Sequence, residues 1–344
     1  MIPNLAIADA IRAFEPKTKL AYLGSYKGIE KQLVTSAGLP FESISTGKLR
    51  RYFSLENVVD FFRIPLGVVQ AFFKLGRLKP NVVFSKGGFV GFPVVLAAWL
   101  RRIPVVIHDS DAIPGLATKL SAPFASKIVL AYETSRMELN RYEDKIEMMG
   151  NPVRLSLFEG SAQRAKKATG FTGERPVLLV MGGSSGSQEI NTLVEHEKKS
   201  WTEHFDVVHV SGHAGHAGAK TKALIKKEPH YFELAFVDKG MNDLYALASL
   251  ALTRAGANTL AELHALQIPA LLYPLGTHAS RGDQVANAKV MALESPLFVV
   301  ANAGRPALAQ LLALPTAADA AASASSTNTA TEKIAWLLLS YAKP

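Results

Sequence analysis

Two doubly wound α/β domains, each built on a Rossmann-like parallel sheet, are what this sequence predicts. Three observations carry the expectation. The chain has 344 residues, more than one ordinary core accommodates and a match to two domains of roughly 150 residues each. Short, β-branched-rich apolar runs alternate with helical patterns along most of it. Several of the runs end in a glycine-rich or small-residue turn that opens a helix, the punctuation of βαβ units.

Taken in order, residues 3–14 predict an amphipathic helix, with Leu5, Ala8, Ile11 and Arg12 at helical spacing and Pro3 in the first turn. Apolar runs at 20–23, 81–84, 104–107 and 127–131 predict strands of a first sheet. A break falls near Gly150-Asn151-Pro152, followed by a polar, basic stretch over 161–174. Runs at 176–181, 206–210, 233–237, 249–253 and 269–273 predict a second sheet. An Ala/Ser/Thr-rich tail over 314–332 predicts an exposed helix or loop, and 333–341 a last apolar helix. The expected division is 1–152 and 153–332, with a terminal helix over 333–344. Two similar α/β halves with one ligand cleft between them form the architecture called GT-B.

Composition narrows the function. Hydrophobic residues make up 48% and charged residues 19%, which places the chain among globular proteins. There are no cysteines, which excludes disulfides, thiolate zinc sites and cysteine nucleophiles and makes a reducing cytoplasm the simplest compartment. The net charge of +9 points to an anionic partner: nucleic acid, anionic lipid or a phosphorylated substrate. No stretch reaches the roughly 18 apolar residues of a membrane span, and the first residues carry no signal-peptide pattern.

Four segments carry chemistry. VLLVMGGSSGSQEIN, 177–191, runs strand, glycine turn, helix. Backbone N–H groups at such a helix start suit a phosphate, with Ser184 and Ser185 as added donors. A plain tight turn is the competing reading. So is the G-x-S-x-G nucleophile elbow of a serine hydrolase, with Ser184 as nucleophile and His264 or His278 as its partner. LTRAGANTLAEL, 252–263, repeats the pattern and sets Glu262 one turn into a helix, where a carboxylate could accept two ribose hydroxyls or merely stabilise the helix dipole. PLGTHASRGDQVANA, 274–288, gathers His278, Ser280, Asp283, Gln284 and Asn287 after a strand, as a hydroxyl-reading cluster or an ordinary polar loop. In the first half, SKGGFVGFP (85–93) and HDSDAIPG (108–115) follow strands; the spacing of His108, Asp109 and Asp111 fits no standard metal motif. A fifth segment, 48–79, interleaves Lys48, Arg50, Arg51, Arg63, Lys74, Arg77 and Lys79 with phenylalanines, which reads as a core helix with solvated cations or as a patch for an anionic membrane surface. No nucleic-acid-binding module is recognisable there, and no nucleic-acid partner is expected.

Together with GIEKQLV (28–34), GKLRRYF (47–53) and GNPVR (150–154), these motifs in this order resemble the MurG family, the bacterial UDP-N-acetylglucosamine:muramyl-pentapeptide pyrophosphoryl-undecaprenol N-acetylglucosaminyltransferases. The resemblance runs from Pro3 to about Val300. It implies that Arg154 and Ser184 contact the donor and that Val237 meets the uracil ring through its backbone. It implies that Ala257, Asn258, Thr259, Leu260, Ala261 and Glu262 face the diphosphate and ribose, with Glu262 as the ribose carboxylate, and that Gln284 reads the sugar hydroxyls. Asp111 stands where the family commonly has Asn near the transferred sugar, and Asp109 where it commonly has Glu. Gly87, Gly88, Gly91 and His108 belong to acceptor-side motifs.

The implied reaction moves GlcNAc from UDP-GlcNAc to the 4-hydroxyl of lipid I (undecaprenyl-pyrophosphoryl-MurNAc-pentapeptide), with inversion, giving lipid II. No cofactor or metal is required if helix N-termini hold the leaving UDP. The implied location is the cytoplasmic face of the cell membrane, peripherally bound. The family opens with a strand and a GGTGGH loop whose histidine is the expected general base, whereas this chain begins MIPNLAIA. A misplaced start codon is the expected reason, with His108 the first substitute base otherwise. Other readings remain open: another GT-B lipid glycosyltransferase, an inactive UDP-sugar-binding remnant, or the Ser184 hydrolase, which a fluorophosphonate probe would label.

Overall fold

The structure is a computed structural model that describes residues 1–26, 30–47, 55–183, 186–212, 224–237, 240–275, 282–315 and 329–342, with backbone alone for 55–62 and 224–225. The chain divides into two compact units, 1–154 with 329–344, and 155–328.

In the first unit, β1 (Tyr22–Ser25) and β2 (Phe41–Ile44) form a parallel pair, and β3 (Val83–Ser85), β4 (Val105–Asp109), β5 (Lys127–Leu130) and β6 (Ile146–Met148) form a parallel sheet in that order. The helices are α1 (Ile2–Phe14), α2 (Glu30–Ser36), α3 (Leu55–Leu78), α4 (Gly88–Leu100), α5 (Leu116–Ser121) and α6 (Glu133–Glu138). The apolar residues of β4 and β5 alternate between two cores. Val105, Ile107, Ile128 and Leu130 pack with α3 and α4 through Ala71, Leu75, Val95 and Ala98. Val106 and Val129 pack with α1 and the last helix through Ile7, Ala10, Ile11, Ile334, Ala335 and Leu338. The buried stripe of α1 is Pro3, Ala6, Ile7, Ala10 and Ile11. Arg12, placed on that stripe by spacing alone, instead donates to the carbonyls of Ala37 and Gly38 at 2.9 and 2.8 Å.

The second unit holds α7 (Ala162–Thr169), β7 (Val177–Met181), α8 (Gln188–His204), β8 (Asp206–Val210), β9 (Leu224–Glu228), β10 (Tyr231–Leu234), α9 (Met241–Leu247), β11 (Leu250–Thr253), α10 (Ala257–Ala265), β12 (Ala270–Leu272), α11 (Asp283–Glu294), β13 (Phe298–Val300) and α12 (Ala307–Leu312). Its strands run β13-β12-β11-β7-β8-β10-β9, parallel throughout except for the β9–β10 pair. Residues 177–181 of β7 are buried without exception, as expected of a strand covered on both faces. The last helix, α13 (Ala330–Ser340), returns to the first unit. There the Thr331 hydroxyl donates to the Val153 carbonyl at 2.7 Å and accepts from the Val153 N–H at 2.9 Å, and Trp336 stacks on Phe14 at 4.8 Å.

Candidate active site

In the second unit the chain runs from β7 outward through β8 to β10, then crosses back to place β11 on the other side of β7. Such a reversal leaves a crevice beyond the carboxyl ends of the two strands, where open α/β sheets take their ligands. On the β7 side the turn is built for close backbone approach. A Cβ on Gly182 would lie 2.3 Å from the Ser187 nitrogen, and one on Gly186, with φ +81, would lie 2.5 Å from the Ser211 carbonyl oxygen. Ser187 then caps α8, its hydroxyl accepting from Ile190 N–H at 3.3 Å. Ser184 and Ser185 lie outside the described residues, and so do His278 and Ser280.

On the β11 side, Thr253-Arg254-Ala255-Gly256 leads into α10, whose N-cap Gly256 has no side chain to satisfy the first N–H groups. Those amides carry the positive end of the helix dipole and suit an anion. Glu262, half-buried one turn in, accepts the Tyr245 hydroxyl of α9 at 2.9 Å. Gln284, at the start of α11, accepts the Leu275 N–H at 3.0 Å, which fixes the rotation of its amide beside the loop after β12. Asn287 is fully buried and donates to the Ala255 carbonyl at 3.2 Å. Of the polar residues over 278–287, it fastens the β11 turn to α11 and is not presented to a ligand. Val237 follows β10 at the same carboxyl edge, three residues past the strand's end. Arg254, which motif reading passed over, is a cation at this edge. Its guanidinium lies 3.6 Å from Glu189 of α8, and burial lowers its pKa while Glu189 partly offsets that. The available signal was a lone arginine interrupting an apolar strand end.

In the first unit the carboxyl ends of β3 and β4 carry the second cluster. Gly87 and Gly88 have φ of +73 and +78, and a Cβ on Gly91 would lie 2.6 Å from the Ser85 hydroxyl. Asp109 is a buried turn-former: Oδ1 accepts from Asp111 N–H at 3.1 Å and Oδ2 from Gly115 N–H at 2.9 Å. His108 is fully buried, and its Nε2–H donates to the Gly150 carbonyl at 2.9 Å. Burial, and then the nearby Lys86 charge, lower its pKa to about 3, so the ring is neutral. Lys86, also unflagged by motif reading, donates to the Ser110 hydroxyl. Burial lowers its amine to about 8 against the opposing pull of Asp111 and Asp109. Asn151 of the GNPVR segment donates to the Ser110 carbonyl at 2.9 Å, tying that segment to the same turn. Arg154 closes the segment. Among the described residues no group of three or more His, Cys, Asp or Glu side chains is placed to hold a metal ion.

The glycosyltransferase family 28 N-terminal domain matches residues 1–130 and the family's C-terminal domain matches 177–308. The chain is 42% identical over 287 residues to the UDP-N-acetylglucosamine--N-acetylmuramyl-(pentapeptide) pyrophosphoryl-undecaprenol N-acetylglucosamine transferase of Legionella pneumophila (strain Lens), covering 83% of this chain and 77% of that one. It is 40% identical to transferase 2 of that name from Bacillus cereus (strain ATCC 14579), covering 83% and 79%. The chain belongs to the MurG family of glycosyltransferases. The fold agrees: the crystal structure of Acinetobacter baumannii MurG superposes with a TM-score of 0.69 at 21% identity, covering 98% of this chain and 95% of that one, and both units have the parallel α/β form of GT-B. Of the residues that MurG resemblance singles out, the structure gathers Val237, Ala257 to Glu262 and Gln284 at one sheet edge of the second unit. Asp111 and Arg154 lie in the first unit, and Ser184 lies outside the described residues.

Proposed function

We propose that this chain transfers GlcNAc from UDP-GlcNAc to the 4-hydroxyl of the muramyl sugar of lipid I, with inversion, to form lipid II for peptidoglycan synthesis. The observation that carries the reading is the relation at 42% identity that spans most of both domains. The geometry supports the reading through the needs of the leaving group. As the sugar–phosphate bond breaks, negative charge grows on UDP, and the uncapped start of α10 offers fixed N–H donors to it. Glu262, oriented by Tyr245, accepts from the ribose. Gln284 offers its amide to the sugar. His108, neutral and sealed from solvent with its Nε2 hydrogen committed to Gly150, is a poor choice for deprotonating the acceptor; its placement supports a structural role in joining β4 to the 150–154 segment. The test is turnover of UDP-GlcNAc with a lipid I analogue, followed as UDP release and lipid II formation. UDP binding without turnover would favour a binding protein, and turnover on a different lipid acceptor another glycosyltransferase.

We further propose peripheral attachment to the cytoplasmic face of an anionic membrane through α3 and the end of α4. Among the described residues no helix is long and apolar enough to cross a membrane. Leu66, Val69 and Phe73 form an exposed stripe along α3, Phe73 being 70% exposed, and Trp99 and Leu100 are exposed at the end of α4. Changing Phe73 and Trp99 to Ser should reduce co-sedimentation with anionic vesicles and leave UDP affinity intact; undiminished sedimentation would sink this attachment surface.

A further inference from the structure

A buried polar chain crosses the second unit from β10 through β8 to α8. The Tyr231 hydroxyl donates to Glu233 Oε2 at 3.1 Å and lies 2.9 Å from Nδ1 of His209. Nε2 of His209 lies 3.1 Å from Asn191 Oδ1, and Asn191 Nδ2 donates to the Ser211 carbonyl at 3.0 Å. Ser211 sends its N–H and its hydroxyl to the Leu234 carbonyl at 2.9 and 3.3 Å. His209, Tyr231 and Ser211 are all buried.

Counting hydrogens over these described contacts assigns a state to the ring. A backbone carbonyl only accepts, so Asn191 turns its NH2 to Ser211 and its oxygen to the imidazole. That oxygen also only accepts, so Nε2 carries a hydrogen. Tyr231 has a single hydrogen, which burial and then the Glu233 charge hold on the phenol, raising its pKa. The carboxylate takes that hydrogen, so Nδ1 must donate to the phenol oxygen. On this assignment both ring nitrogens are protonated, and Glu233 Oε1, 4.0 Å from Nδ1, supplies the counter-charge. Among the described residues, the other charged groups around the chain are Lys198 of α8, 4.6 Å over the Tyr231 ring, Glu195 of α8, Glu228 of β9, and Lys226 of β9, the register partner of Glu233.

We infer that His209 is a positioning residue of the donor half: an imidazolium clamped between the Tyr231–Glu233 pair and Asn191, it holds Ser211 at the end of β8 and, through Ser211, the end of β10 that leads to Val237. The consequence for UDP rests on the function proposed above; the clamp itself does not. In the full chain labelled with 15N-histidine, long-range nitrogen–proton spectra should show His209 doubly protonated at about pH 8, where an ordinary imidazole is neutral. Glu233→Gln, which keeps the shape and removes the counter-charge, should return the ring to a neutral tautomer. Asn191→Ala should speed amide exchange at 211–212 and 234–237 and weaken UDP binding about tenfold, the loss expected for one charge-assisted hydrogen bond. A singly protonated His209 in the unaltered chain at about pH 7, or unchanged exchange at those amides in Asn191→Ala, overturns the inference. Faster exchange in Asn191→Ala, with no UDP binding by the unaltered chain, would uphold the clamp and sink the nucleotide reading instead.

Discussion

Replacing Glu262 with Ala is expected to weaken UDP binding by about one to two orders of magnitude. The carboxylate is half-buried on α10, and one of its oxygens is held at 2.9 Å by the hydroxyl of the buried Tyr245. That bond orients the group before a nucleotide arrives, so little side-chain freedom is left to lose on binding. A hydrogen bond to a charged partner contributes about 1.5–3 kcal/mol net, and each ~1.4 kcal/mol is tenfold in Kd. Tyr245→Phe keeps the carboxylate and removes this tether, so a smaller loss of about two- to tenfold follows from a net contribution of about 0.5–1.5 kcal/mol. The assay is calorimetric titration of UDP and of 2′-deoxy-UDP into the unaltered chain and both variants. If Glu262 reads the ribose, the deoxynucleotide binds the unaltered chain more weakly and that difference collapses in Glu262→Ala, a coupling only the two together reveal. Equal discrimination with and without the carboxylate would refute the reasoning and leave Glu262 with a structural role beside Tyr245.

Three further outcomes follow from the same geometry. Gly182→Ala drives a Cβ to within 2.3 Å of backbone at Ser187, so the turn must shift; a stability loss of about 1–3 kcal/mol in urea unfolding, with weaker UDP binding, is expected, and normal values for both would contradict the close approach. Thr331→Val strands the Val153 N–H and carbonyl it now satisfies, at about 1–3 kcal/mol for each buried group, which thermal unfolding would register. His108 is held at about 3 by burial and then by Lys86, below the ordinary imidazole value of about 6.5. Unfolding therefore takes up a proton, and the stability His108 contributes is fully present above about pH 6.5 and lost as pH falls toward about 3. Between about pH 7 and about pH 4.5 the loss should be about 2–3 kcal/mol, and His108→Gln, which keeps a donor for Gly150, should flatten it; an unchanged acid slope in that variant would assign the effect elsewhere.

Which elements could be read from the sequence follows from their place in the sheets. β4 and β7 are buried at every position, and a strand covered on both faces must be an apolar run. β2, β6, β9 and β13 escaped the same reading, and each stands at a sheet edge. β2, β6 and β13 are only partly buried, and β9 reads LIKKE, with the lysines that edge strands carry against further pairing. The run at 233–237 marked the right strand too late. Tyr231 and Phe232 are the buried part of β10, and Ala235 to Val237 lie in the connection beyond it.

The site was legible where backbone does the work and less so where a side chain's partner decides its role. Glycine turns announce themselves because few other residues fit a φ of +81 or a Cβ gap of 2.3 Å. Gln284 and Asn287 look alike in sequence, yet one sits beside the loop after β12 while the other is sealed against Ala255. The same limit applies to charge. Lys74 and Arg77 were counted among the cations of a membrane-facing segment, but both are paired with Glu42 of β2, a residue 32 and 35 positions away, and Arg101 lies 4.5 Å over the Phe72 ring. Two cations sharing one carboxylate keep a net charge of +1 rather than +2, and what remains is screened over a Debye length of about 10 Å in 0.1 M salt. Glu42 of β2 thus offsets half of this charge, Lys48, Arg50 and Arg51 lie outside the described residues, and the exposed apolar stripe of α3 gives the stronger argument for a membrane.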